Sequence, residues 1–116
     1  MITGVHAIVY SKNADAIRAF FRDTLGYKSV DAGRGWLIFA LPPAELAAHP
    51  SDDEDAHELF LMCDDLEATL AELKAKGVEA TSPIHDQPWG RATSIRIAEG
   101  TELGLYQPKH PLAIDL

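Results

Sequence analysis

The chain repeats itself, and that repeat constrains its fold more than any other feature. Residues 5–10 (VHAIVY) are β-branched, aromatic or small and read as a strand. Asn13 offers a helix N-cap, Ile17, Phe20, Phe21 and Leu25 follow at helical spacing, and Gly26 supplies the left-handed stop. A short strand at 27–30, a turn around Gly33 and Gly35, and an apolar strand at 36–41 come next, closed by Pro42-Pro43. Residues 45–49 offer a further strand. The pattern then restarts. Residues 58–63 (ELFLMC) read as a strand, Asp64-Asp65 cap a helix with Leu66, Leu70 and Leu73 on one face, and Gly77 ends it. A short strand at 78–80, a loop at 82–90 with two prolines, and strands at 92–97 and 103–106 complete the second half. His6 therefore corresponds to Glu58, an offset of 52 positions, and Glu45-Leu46-Ala47 matches Glu102-Leu103-Gly104. Each half has one helix to cover one sheet, so the open sheet faces pair around a shared cavity.

The expected organisation is one domain over residues 1–116. Module one spans 1–50, an acidic linker 51–56 and module two 57–116. The fold class is α+β: two βαβββ modules forming a concave mixed sheet, as half-barrels, with helices outside. Hydrophobic residues make up 47% and charged residues 24%, the balance of an ordinary soluble protein. Eighteen acidic against ten basic residues give a net charge of −8. The basic residues are scattered singly, so no stripe exists to displace counterions from phosphates, and nucleic acid is not expected as a partner. No apolar run approaches about 20 residues, so no membrane span is expected either. The lone Cys63 lacks an intrachain partner, which fits a reducing cytoplasm. Half-barrels expose strand edges that need cover, and a homodimer supplies it.

The doubled strand–helix–three-strand unit resembles the vicinal oxygen chelate superfamily of glyoxalases, bleomycin resistance proteins and extradiol dioxygenases. The matching segments are HAIVYSKNADAIRAFFRDTLGY in the first half, and ELFLMCDDLEATLAELKAKGV, PWGR and EGTELGLYQP in the second. Together they span residues 4–108. In metal-dependent members each half gives one ligand from its first strand and one from its last. The resemblance thus implies His6 and Glu58 as metal ligands for one divalent ion (Zn, Fe, Mn or Ni). The last-strand positions hold Ala47 and Gly104, which have no donor, and the family's usual closing glutamate falls at Gly104.

Strand alternation identifies what stands nearby. Glu102, Gly104 and Tyr106 share one face, so Glu102 points to the cavity one pleat repeat (roughly 6.6 Å) from the usual ligand position. It is the expected third ligand and catalytic base, and metal binding is weak or absent if it does not reach the site. Ile8 and Tyr10 line the cavity with His6, Phe60 and Met62 with Glu58, and Trp36 and Ile38 join the first wall. Ser94 and Arg96 join the second. Tyr10, Trp36, Phe60 and Arg96 are the expected substrate-binding residues, Arg96 because a guanidinium grips carboxylate or phosphate at two points. Val5, Ala7, Val9, Leu59, Leu61 and Cys63 should pack under the helices. His85 and His110 sit on a loop and in the tail, without an assigned role.

Two functions fit. One is a metal-dependent lyase, isomerase or dioxygenase, the ion acting as Lewis acid on vicinal oxygens of a small substrate. The alternative is a metal-free small-molecule or drug-binding protein of the resistance type, its cavity lined by Tyr10, Trp36 and Phe60.

Overall fold

Alternating apolar residues in the last third of the chain build the scaffold. The computed structural model describes residues 6–50, 52 and 56–116. Val5 and most of the acidic linker lie outside them. Ile95, Ile97, Leu103 and Leu105 project from one face of two long strands, β5 (Gly90–Ala98) and β6 (Thr101–Pro108), and all four are buried. These strands pair antiparallel from Gly90↔Pro108 to Ala98↔Thr101, with a register shift between Arg96 and Ala98, and turn at Gly100 with φ 77°. On the outer side of β6 lies β3 (Phe60–Met62), parallel to it, with Phe60 opposite Gly104. On the outer side of β5 lies β4 (His85–Gln87). The sheet order is therefore β3-β6-β5-β4.

Helix α2 (Leu66–Ala75) covers this sheet because its start and stop are chemically specified. The Asp65 carboxylate accepts from the Ala68 amide at 3.0 Å, and Gln107 Oε1 on β6 accepts from the Leu66 amide at 2.8 Å. Leu66 and Leu73 are buried beneath it, and Gly77 leaves the helix at φ 83°. The second half is thus a complete strand–helix–three-strand unit. Its second strand, the first after the helix, differs from expectation. Residues 78–80 make only an isolated bridge, Ala80↔Ile95, while β4 forms inside the segment read as a loop.

The first half is organised differently. Helix α1 (Ala14–Ala19) continues as a π-helical turn over Phe20–Thr24, and Gly26 ends it at φ 71°. Ile17, Phe20 and Phe21 are buried in the same apolar cluster as Leu66, Leu73, Ile95 and Leu103. The helix is pinned there by Asn13 Nδ2, which donates to the Glu99 carbonyl at 2.6 Å, and by the Ser11–Thr101 hydroxyl pair at 2.9 Å. Two strands follow, β1 (Ser29–Asp31) and β2 (Leu37–Phe39), as an antiparallel hairpin. Its turn is held by the Asp31 carboxylate, which accepts from the Gly33 amide at 2.7 Å and the Gly35 amide at 3.2 Å.

Two expected strands do not form. Neither 6–10 nor 45–49 belongs to a sheet. A strand is stable only with a ladder partner for its backbone groups, and neither segment pairs with a strand among the described residues. Ile8 is 62% and Tyr10 88% exposed, and Leu46 is 97% exposed, so these segments leave large apolar side chains uncovered. Val9 alone packs inward, against the core. The architecture is α+β, with two sheets among the described residues, neither closed into a barrel.

Candidate functional site

The exposed face of the second sheet is where the chemistry-bearing side chains collect. Alternation sends Phe60, Glu102, Gly104 and Tyr106 to the face opposite the buried Leu103 and Leu105. A groove of about 340 Å³ opens over part of this face, with Glu58, Phe60, Ser94, Glu102 and Gly104 on its walls and Ile8 entering from the first half. Leu59 and Leu103 also reach it, although Leu59, like Leu61, packs against the core as expected.

An aromatic cluster continues the groove along the sheet. The Tyr106 ring is central: its centroid lies 6.1 Å from that of Phe60, 5.6 Å from Trp89 and 5.9 Å from His110. The Tyr106 hydroxyl donates to the Trp89 carbonyl at 3.3 Å, and burial together with the nearby Glu45 carboxylate raises its pKa. Phe60 is 40% and Trp89 49% exposed, so large apolar faces remain open to a ligand. The Phe60 ring lies directly over Gly104. A Cβ at that glycine would overlap Cδ1 and stand 2.5 Å from Cε1 and 2.9 Å from Cγ.

Of the residues expected at the site, Glu58, Phe60 and Glu102 meet in the groove. His6, Tyr10, Trp36 and Arg96 are exposed and do not line it. The Trp36 ring is instead covered by the Arg18 guanidinium, 5.6 Å from its centroid, on the first-half hairpin. Arg96 stands opposite Glu102 across β5 and β6, at the far end from the aromatic cluster. Glu45 serves the tail, its carboxylate accepting from the Ala113 amide. Cys63 is half-buried, and desolvation pushes its thiol pKa up, which lowers its thiolate share.

The residues present do not fit a three-donor metal centre. No group of three His, Cys, Asp or Glu side chains converges among the described residues. His57 lines the groove with its two carboxylates, yet the three do not converge on one point, and the space above Gly104 is filled by an aromatic ring. Sequence reasoning passed over Trp89 and His110 as site residues. The available signal was the Trp89-Gly90 pair, a bulky ring next to a residue without a side chain, at the start of a strand.

Comparison with known proteins places this geometry. A family model described as the Glyoxalase/Bleomycin resistance protein/Dioxygenase superfamily matches residues 4–105. Among solved structures, TnmS3, an antibiotic-binding protein from Streptomyces sp. CB03234, is 26% identical with a TM-score of 0.65, over 93% of this chain and 98% of that one. A member of the same superfamily from Sphaerobacter thermophilus is 27% identical, TM-score 0.60, over 91% and 98%. A lactoylglutathione lyase from Agrobacterium tumefaciens shares the fold at 16% identity, TM-score 0.63, over 90% and 92%. A search of curated protein sequences finds no significant match.

Proposed function

The chain belongs to the glyoxalase/bleomycin resistance/dioxygenase superfamily, and we propose that within it this protein binds a planar aromatic small molecule on the open face of its second sheet. The observation that carries the reading is the Phe60 ring lying over Gly104. At the position where the superfamily resemblance implies a closing glutamate, this chain offers an aromatic surface. Tyr106 and Trp89 extend that surface, and apolar, partly exposed rings favour stacking of flat ligands. Similarity to an antibiotic-binding protein supports a small molecule as the occupant.

In this reading Phe60, Tyr106 and Trp89 form the binding surface, and Glu58 and Glu102 give its rim negative charge. Tyr10 and Trp36 contribute only if the first half of a second copy closes over the groove. A homodimer is the assembly that would do so: Val30 is 66%, Trp36 68% and Ile38 42% exposed, an apolar hairpin without cover in one chain. Placement in a reducing cytoplasm fits the single thiol. No helix among the described residues is long and apolar enough to cross a membrane.

The test is fluorescence titration of the Trp36→Phe variant, in which Trp89 is the remaining indole. Proflavine and anthraquinone-2-sulfonate, two planar tricyclic probes of opposite charge, should quench it saturably, and Phe60→Leu should weaken both. Absence of saturable quenching by either probe would refute the reading.

One observation favours metal-assisted chemistry instead: Glu58 and Glu102 share the groove. That reading requires a third donor, His6, to join them, with Glu102 as base. Metal analysis of protein purified without chelator or nickel resin decides it. Stoichiometric metal that is lost in both His6→Ala and Glu102→Ala would establish the site.

A further inference from the structure

We propose that Gly104 determines which ligands this face accepts, because the missing side chain lets the Phe60 ring lean across β6 and offer its free face for stacking. The proposal rests on the aromatic-binding reading above and deepens it to a preference for flat ligands over globular ones.

The backbone offers no other reason for glycine at this position. The glycines with positive φ are 26, 33, 35, 77 and 100, each at a turn or helix end. Gly104 is not among them; it lies inside β6 in regular register, with Phe60 on one side and Ser94 on the other. Glycine within a strand weakens it, since it orders a flexible backbone and packs nothing. What it supplies here is space. Three atoms of the Phe60 ring, Cδ1, Cε1 and Cγ, occupy the position a Cβ and its hydrogens would need.

The same device occurs a second time along the face. A Cβ at Gly90 would meet Cε2 of the Tyr106 ring, as well as the Gln107 carbonyl at 2.7 Å. Phe60 therefore lies over Gly104 and Tyr106 over Gly90, and the two rings pack edge to face at 67°. Rings at that angle meet as a corner, and the ring seated over Gly104 is the one offered to a stacked ligand. A methyl group at 104 would push the Phe60 ring off β6 and into the groove. Backbone atoms crowd Gly90 as well, so a substitution there would move β6 itself, and Gly104 is the cleaner position to probe.

The experiment compares proflavine, a flat cation, with 1-adamantylamine, a globular cation, on wild type, Gly104→Ala, Phe60→Leu and the double variant. A two-dimensional NMR spectrum records the Gly104 Hα protons alongside. In wild type these protons should lie upfield of their position in Phe60→Leu, because they sit under the ring. Gly104→Ala should lose about tenfold in proflavine affinity while adamantylamine changes by less than about twofold. The double variant should match Phe60→Leu alone in binding, and should melt at a higher temperature than Gly104→Ala, since removing the ring removes the clash. If Gly104→Ala does not fold, the loss of flat-over-globular preference in Phe60→Leu and the NMR shift still decide the matter. Equal effects on both probes, additive effects in the double variant, or no upfield shift would overturn the proposal while leaving ligand binding standing. Failure of wild type to bind either probe would overturn both.

Discussion

Gln107 Oε1 accepts a hydrogen bond from the Leu66 amide at 2.8 Å, so the last strand caps the second helix. The first amides of a helix have no internal partner, and this one is satisfied by a side chain from 41 residues away. Leu66 is fully buried, and the Gln107 side chain is what meets its amide at the edge of the core. Gln107→Ala should therefore cost about 1 kcal/mol in urea unfolding, with an unchanged m-value. A midpoint equal to wild type would show that the cap contributes nothing.

Ile95 is completely buried on β5, in the apolar cluster to which both helices contribute. Ile95→Ala should destabilise by about 2–5 kcal/mol, through lost burial plus the cavity left behind. Ile95→Val should cost about 1 kcal/mol. Chemical denaturation measures both, and equal losses from the two variants would contradict a rigidly packed site.

The tail is clasped to the sheet by the ion pair between Lys109 and Asp86. The Lys109 ammonium, by hydrogen bond and charge, holds the Asp86 carboxyl below its usual pKa. A depressed folded pKa means that the clasp is present above the ordinary carboxylate range and is lost as pH falls through the folded value. NMR titration should show the Asp86 carboxyl titrating lower than in Lys109→Ala, with the resonances of residues 109–116 moving at the same midpoint. High salt should weaken the effect, because the pair is exposed to solvent.

Burial pushes the Cys63 thiol up, so little thiolate exists at pH 8 in the folded protein. Reaction with a disulfide reagent should be slow in the native state and fast in concentrated urea. Rapid native labelling would place the thiol on the open face.

The uncovered first-half hairpin makes a prediction about assembly. Sedimentation equilibrium should show a homodimer, and Ile38→Glu should shift it toward monomer, since a charge buried without a partner is costly. A monomer at every accessible concentration would remove Tyr10 and Trp36 from the site.

The elements legible in the sequence are those with local chemical signals. Asp65 before an apolar stripe and Gly77 after it define α2, and alternation through residues 92–97 and 103–106 defines the core of β5 and β6. The exposed face of the second sheet followed too, because a two-residue period assigns Phe60, Glu102 and Tyr106 together without knowledge of their neighbours. The family was legible from the order of these units. What the tertiary structure alone decided depends on contacts between distant segments. Residues 6–10 have strand-like composition, yet a strand needs a ladder, and whether one stands alongside is not encoded locally. His85–Gln87 has turn-like composition and becomes β4 because β5 offers it an edge. The site turned on the same kind of fact. Gly104 in the sequence is a missing ligand; only the register that sets Phe60 opposite it makes the absence a place for an aromatic ring.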